Sequence, residues 1–398
     1  MVTIRFYQEI DQEQWDSYVL NHPRGTLFHL ISWKNVIEKT FGHKSFYLLA
    51  ENTAPRQHRN TNVSASDLKR SDPRTSYMND SPINPTNSIN PSNSSNPSNS
   101  INPSNSSNPI VGILPLFSVK SLLFGKSLVS VPFAAYGGIL ADDPDVANQL
   151  LDKAKEITCS EGLDYLEFRN RDGVIENLPL KELYVSFRRE IFEDLESNMN
   201  AILRKSRRMI RVGEKEGLTL EFGHEALIPA FYEIFARSYH RLGSPVFSIK
   251  LFRNLLREFK EKASILLIRD KESRPISGVL SFFYKDEVIP YYAGSLFEYR
   301  QLAPNDYMYW QLIKYGCENG YKLFDFGRSK IETGSFDFKR HWGFKPEPLP
   351  YQYFLNRIKE IPNISPANPK YQKKIEIWRK LPFWATKIIG PHIVKYIP

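Results

Sequence analysis

The chain has 398 residues, 41% of them hydrophobic, with 26 Phe and 21 Tyr. That supplies cores for about two or three domains and excludes a wholly disordered chain. The net charge of +9 points to an anionic partner, whether nucleic acid, a phosphorylated cofactor or an acidic membrane surface. Two cysteines, Cys159 and Cys317, exclude a disulfide framework and a four-cysteine zinc site and fit a reducing compartment.

The opening residues MVTIRFYQEIDQEQW contain no apolar run of signal-peptide length, so a cytoplasmic location is expected. SFYLLAE and IVGILPLF read as neighbouring strands, although residues 52–109 separate them. Within that separation a hexapeptide recurs as INPTNS, INPSNS, SNPSNS and INPSNS. It offers almost nothing to bury, so residues 52–109 are expected to be a disordered insertion inside a domain rather than a linker between domains. Residues 127–140, SLVSVPFAAYGGIL, are too few to span a bilayer and are interrupted by Pro132 and a glycine pair. A helix over 145–162 and a strand at 164–170, DYLEFRN, follow.

The same order then repeats. ASILLIRD, PISGVLSFFY and EVIPYYAGSLF read as strands, residues 305–320 as a helix and YKLFDFG as a strand. GILP at 112 matches GVLS at 278, YGG at 136 falls where YAGS lies at 292, and LEFRN at 166 falls where FDFGRS lies at 324. The spacing predicts two α/β (α+β) domains of one type, each a mixed, mainly antiparallel sheet flanked by helices. Their expected limits are 1–195 and 196–358, with a helical tail over 359–398. Between the halves, Met199, Ile202, Leu203, Met209 and Ile210 share one helical face. Arg204, Arg208, Arg211 and Lys215 share the opposite one, which is either a solvated basic face or an anion-binding ridge.

No GxxxxGK(S/T), GxGxxG, GxSxG or HExxH pattern occurs, and no His/Cys cluster has metal-ligand spacing, so no metal is expected. Asp325-Phe326-Gly327 lacks the remaining kinase motifs. At the predicted helix start, Pro304 marks the boundary and Asn305 is the expected N-cap. Free amides there, with Arg300 and Gln301 in the preceding turn, form either a phosphate site or an ordinary capped helix.

The segments PNDYMYWQLIKYG, FDFGRS, GSFDFKRHWGF and LPYQYF, in that order after a basic helix, resemble the FemAB-like branch of the GNAT acyltransferase superfamily (BioF2-like, Acetyltransf_6 type). The ending WRKLPFWATKIIGPHIV is similar to the subgroup associated with PEP-CTERM/exosortase exopolysaccharide systems. The resemblance covers residues 1–51 and 110–395. It implies two tandem GNAT-like domains and acyl transfer to an amine without a covalent enzyme intermediate. The donor would be aminoacyl-tRNA, as in Fem proteins, or acyl-CoA, with no tightly bound cofactor. The acceptor would be an amine-bearing glycan or peptide precursor of the cell envelope. A splayed strand, here VIPYYAGS, would hold the donor. RQLAPND has no glycine where CoA-binding relatives carry a Gly-rich loop, which counts against CoA.

Within that frame Lys339 and Arg328 are candidates for gripping a substrate carboxylate or phosphate. His341 and Trp342 border them, Trp342 as core or as a pocket wall. One of Tyr291 and Tyr292 is expected to line the cleft, and Asp325 is either a general base or a structural carboxylate. Arg300, Gln301, Asn305, Arg204, Arg208 and Arg211 would serve the donor, tRNA included. The tail mixes Lys and Arg with Trp, Phe and Ile, as a helix packed on the domain does and as a peripheral contact with the inner membrane face does. A non-catalytic binding protein of the same fold is the other class of reading, and the oligomeric state stays open.

Overall fold

The computed structural model describes residues 1–53, 108–121, 124–363 and 369–397. The expected disordered insertion lies, over 54–107, outside the described residues. Its two flanks do meet: β2 (Leu48–Asn52) and β3 (Ile110–Leu114) are antiparallel partners, and the Asn52 amide donates to the Pro109 carbonyl at 3.0 Å. β1 (Val2–Phe6) pairs with the other edge of β2, and α1 (Gln12–Asn21) and α2 (Ile31–Phe41) lie between the two in sequence.

The first half continues through β4 (Phe117–Ser121), β5 (Gly125–Val129), α3 (Pro144–Ser160), β6 (Tyr165–Arg169) and β7 (Tyr184–Glu190). α3 starts where a local reading puts it: Asp143 caps the Val146 amide, Pro144 occupies the first turn, and Val146, Leu150, Ala154 and Ile157 form the buried stripe. The second half runs through α4 (Leu195–Asn200), α5 (Arg204–Lys215), β8 (Thr219–Gly223), α6 (Ile228–Leu242), α7 (Ile249–Phe259) and β9 (Ala263–Arg269). β10 (Pro275–Tyr284), β11 (Glu287–Ser295), α8 (Pro304–Glu318) and β12 (Leu323–Asp325) follow. α9 (Gly334–His341), β13 (Tyr351–Leu355), α10 (Pro369–Lys380) and α11 (Phe383–Val394) complete the chain.

The architecture is mixed α/β, with the element order of one half repeated in the other. β3 and β4 together correspond to β10, and the break between them falls at Pro115, which has no N–H to give a ladder. Ser281 holds the matching place in β10, where the register with β11 shifts. Gly294 of YAGS has a packing reason: a Cβ there would stand 2.7 Å from the Phe235 Cα, so α6 lies directly on β11.

Each half lends a strand to the other. β7 pairs antiparallel with β12, setting Arg188 opposite Asp325, and β13 pairs with β6, setting Tyr351 opposite Arg169. Sheet membership therefore crosses the sequence boundary at 195 in both directions. No local pattern announces this, because a strand's edge partner is chosen by what stands beside it in space. The seam is aromatic: Phe28 and Trp33 of the first half pack on Tyr291 at ring distances of 5.2 and 6.1 Å, inside one core that joins both halves.

Two local expectations change. The helical faces expected between Met199 and Lys215 are divided between two helices, and Leu203, placed on the apolar face from sequence, caps α5 with 51% of its surface exposed. The basic-aromatic run containing Lys339 is the helix α9. α10 and α11 pack on α6. Among the described residues no helix is long and apolar enough to cross a membrane.

Candidate active site

β11 and β12 run parallel only through Glu287–Leu323 and Val288–Phe324, and then part. At the same level β11 bulges: Leu280 faces Tyr292 and Ser281 faces Pro290, which leaves Tyr291 as the extra residue. Pro290 contributes no N–H, so the ladder cannot close over it. A cavity of about 650 Å³ opens against this splayed strand, between the two halves. Its size is that of a small-molecule or substrate-end site.

The first half supplies Tyr165, Glu167 and Arg169 from β6 to the cavity wall, with Lys181 beyond. The turn after β12 supplies Phe326, Gly327 and Arg328, followed by Lys330. Ile375 and Trp378 of α10 and Val394 of α11 form an apolar roof. Glu167 is the sole carboxylate among the described lining residues, against Arg169, Lys181, Arg328, Lys330 and Lys374. It is held by the Arg169 Nε at 2.8 Å. Arg328 donates to the Tyr351 hydroxyl at 3.2 Å and stacks on Tyr184 at 4.8 Å, which fixes its guanidinium as a planar anion fork. Burial pushes the Lys330 ammonium down to about 8, with the charges of Arg328 and Lys181 adding to the shift. The cavity is thus cationic on one side, apolar on another, and carries one acid.

Of the residues singled out from sequence, Tyr291, Tyr292 and Arg328 reach the cavity. Both tyrosines line it, where alternation predicted one, because the bulge turns the extra residue inward. The Tyr291 hydroxyl donates to the Phe133 carbonyl at 2.8 Å. The Tyr292 hydroxyl is buried with no hydrogen-bond partner, which costs free energy unless a ligand supplies one. Burial raises both phenols, so they stay protonated and serve as donors rather than bases.

Asp325 is fully buried away from the cavity lining. Its carboxylate accepts from the Tyr136 hydroxyl across the seam, from Ser186 at 3.2 Å and from the Gly327 amide at 2.7 Å, with Arg188 at 3.6 Å. Three hydrogen bonds and the nearby Arg188 guanidinium surround the carboxylate, so Asp325 ties the halves together instead of meeting a substrate. Lys339 is likewise turned inward. Its ammonium donates to the main-chain oxygens of Phe326, Gly327 and Arg328, leaving no donor for a ligand. It holds the turn that carries Arg328. Trp342 is core, its indole N–H on Asp306 at 3.1 Å, and the exposed His341 contributes its main-chain carbonyl to Ser206.

Arg300, Gln301 and Asn305 gather near the start of α8, but the N-cap is Ala303 in a left-handed conformation, one residue before Pro304. Asn305 is inside the first turn and accepts from Ser277 at 3.2 Å. Arg300 lies over the ring of Phe297 at 4.2 Å, and Arg241 lies over the same ring at 4.4 Å. Arg204, Arg208 and Arg211 are exposed along one face of α5, as the spacing predicted, and none of them lines the cavity.

Glu167, Arg169, Lys181 and Lys330 were not legible as site residues. One signal pointed to Glu167: within the internal repeat LEFRN it occupies the place of Asp325 in FDFGRS. β6 runs parallel to β5 as β12 runs parallel to β11, so the two acids are structural counterparts, one facing the cavity and the other the seam.

Residues 198–340 match the family described as an acetyltransferase (GNAT) domain. The lipid II:glycine glycyltransferase of Staphylococcus haemolyticus is 30% identical over 135 residues, 31% of this chain and 32% of that protein. The protein of the same name from Staphylococcus aureus is 31% identical over 117 residues, 27% of each chain. This chain therefore spans about a third of the length of these relatives. The crystal structure of FemX superposes with a TM-score of 0.58 at 15% identity, covering 94% of this chain and all of that one, and so shares its fold. The splayed β11 and the bulge at Tyr291 lie within residues 198–340, which form a GNAT-type acyltransferase domain. Over about a third of its length the chain is thus similar to the lipid II:glycine glycyltransferases, and it has the fold of FemX.

Proposed function

We propose that the chain is an N-acyltransferase that moves an acyl or aminoacyl group onto an amine of a cell-envelope glycan or peptide precursor. The observation that carries this is the meeting of the splayed, bulged β11 with Glu167 and a set of cations in one cavity. Arg328, Lys330 and Lys181 suit an anionic part of the acceptor, and Glu167 suits its amine. The amine nitrogen attacks the donor's acyl carbon, a C–N bond forms, and the bond to the donor's ester oxygen or thioester sulfur breaks. One amine proton passes to Glu167. The leaving oxygen or sulfur takes a proton from the Tyr292 hydroxyl, which recovers it when Glu167 releases its own.

Aminoacyl-tRNA is our first reading of the donor. The exposed Arg204, Arg208 and Arg211 on α5, with Arg300 near the start of α8, offer cations spaced for a polyanion. Acyl-CoA is the second, favoured by the free amides at the α8 N-terminus. The turn before α8 has no glycine, and Ala303 takes the left-handed position instead. We further propose an exopolysaccharide setting of the PEP-CTERM type, for which the tail's likeness speaks, and work at the cytoplasmic face of a membrane.

The test is a transfer assay with the full chain. [14C]Glycyl-tRNA and [14C]acetyl-CoA are each offered with a lipid II-type precursor bearing a free lysine amine and with an amino-sugar acceptor. Label appearing on an amine from either donor supports the reading and selects the donor. Binding of both donors with no transfer to any amine would leave a binding protein of the same fold.

A further inference from the structure

The helices that roof the cavity turn a different face outward. Trp378, Ala385, Thr386, Gly390 and Val394 are buried, and a Cβ on Gly390 would stand 2.7 Å from the Val246 amide nitrogen, so α11 is seated firmly on the body. On the outer side Ile377, Trp384 and Ile388 are exposed by 62%, 67% and 61%. Trp384 and Ile388 are one helical turn apart and share a face of α11. Three large apolar side chains on one helix pair, in a chain that buries its other tryptophans, mark an interaction surface.

The charge around that surface selects the occupant. From residue 369 to 397 the sequence carries seven Lys or Arg and a single acid, Glu376. Lys373 and Lys380 are exposed on α10. Exposed apolar side chains on both helices, a tryptophan among them, with Lys373 and Lys380 one turn either side of Ile377, fit the headgroup–acyl boundary of an anionic bilayer, where an indole sits at the interface and lysines meet lipid phosphates.

We infer that α10 and α11 dock this protein on an anionic membrane surface, with Ile377, Trp384 and Ile388 entering the interface while the inner face of the same helices roofs the cavity. This rests on the reading that the chain works at a membrane, and adds the docking face, the lipid class and the orientation. Ile375, Trp378 and Val394, with Lys374 beside them on α10, then stand between the cavity and the bilayer, whereas Lys181, Arg328 and Lys330 stand on the other walls. The side of the site with most of its aliphatic lining is therefore the side turned toward lipid.

The experiment is co-sedimentation of the full chain with phosphatidylcholine vesicles containing about a quarter phosphatidylglycerol, and with pure phosphatidylcholine vesicles. Tryptophan quenching by brominated lipid is read alongside. The wild type is expected to pellet with the anionic vesicles and to be quenched. Trp384→Ser/Ile388→Ser is expected to bind at least tenfold more weakly with unchanged Tm, since both residues are exposed. Equal binding of the wild type and this double variant, with binding lost only in Lys373→Glu/Lys380→Glu, would mean charge adsorption alone and overturn the inference. So would the absence of vesicle binding, or a concentration-dependent dimer abolished by the double variant. Transfer to a water-soluble amine acceptor separates the two readings. Its retention without vesicle binding removes the docking alone, and vesicle binding without any transfer removes the transferase alone.

Discussion

Lys339 on α9 places its ammonium 2.8 Å from the main-chain oxygen of Phe326, and spends its other two donors on Gly327 and Arg328 at 3.0 and 3.3 Å. Burial pushes its pKa down to about 7, the charge of Asp325 opposing the shift and that of Arg328 adding to it. An unfolded lysine titrates near 10.4, so between pH 7 and 10 the unfolded state binds the extra proton and stability rises with pH, by at most about 1.4 kcal/mol per unit. Below pH 7 both states are protonated and the contribution is flat. The difference in Tm between wild type and Lys339→Met should therefore move in favour of wild type as pH increases from 7 to 9. A difference independent of pH would show that the ammonium titrates normally.

Glu167 and Asp325 occupy corresponding strands and should fail differently. Glu167→Gln keeps an oxygen for the Arg169 Nε but removes the charge facing a buried guanidinium, so it is expected to lower Tm while the chain still folds, and to lower kcat/KM for the acceptor by roughly tenfold to ten-thousandfold, the range of an assisted proton transfer. Asp325→Asn disturbs a buried network joining Tyr136, Ser186 and Arg188, and is expected to destabilise the fold by about 2–4 kcal/mol. Thermal unfolding beside transfer rates decides it: a folded, fully active Glu167→Gln with a stable, inactive Asp325→Asn would reverse the assignment.

Anion binding in the cavity should depend on pH through Lys330, which burial holds at about 8. Below pH 8 its cation joins Arg328 and Arg169; as pH rises through 8 that charge is lost and affinity declines. Titration calorimetry with inorganic pyrophosphate from pH 6.5 to 9.5 should show several-fold weakening. Lys330→Arg should flatten the profile. A flat wild-type profile would place the anion elsewhere.

The strands flanking residues 54–107 are already joined by the Asn52–Pro109 hydrogen bond and the β2–β3 ladder. Replacing that stretch with a four-residue Gly/Ser link shortens the loop to be closed by more than tenfold. This is expected to leave Tm unchanged or raise it, by about 2 kcal/mol in stability at most. Loss of folding in the excised chain, followed by circular dichroism, would show that the insertion contributes to the core.

The repeated order of strands and helices was legible in the sequence because each element writes its own period and its own stop: the apolar stripe of α3 behind Asp143 and Pro144, and the YAGS glycine under α6. The cationic face of α5 and the meeting of the insertion's flanks were legible for the same reason, since both depend on residues close in sequence or in matching repeats. The exchange of β7 and β13 between halves, the inward turn of Lys339 and the burial of Asp325 were decided only in three dimensions. A carboxylate or an ammonium has the same letter whether it faces a substrate or a backbone turn. Which it faces is set by the neighbours that desolvate it, and for Asp325 these are Tyr136, Ser186 and Arg188 from the other half of the chain.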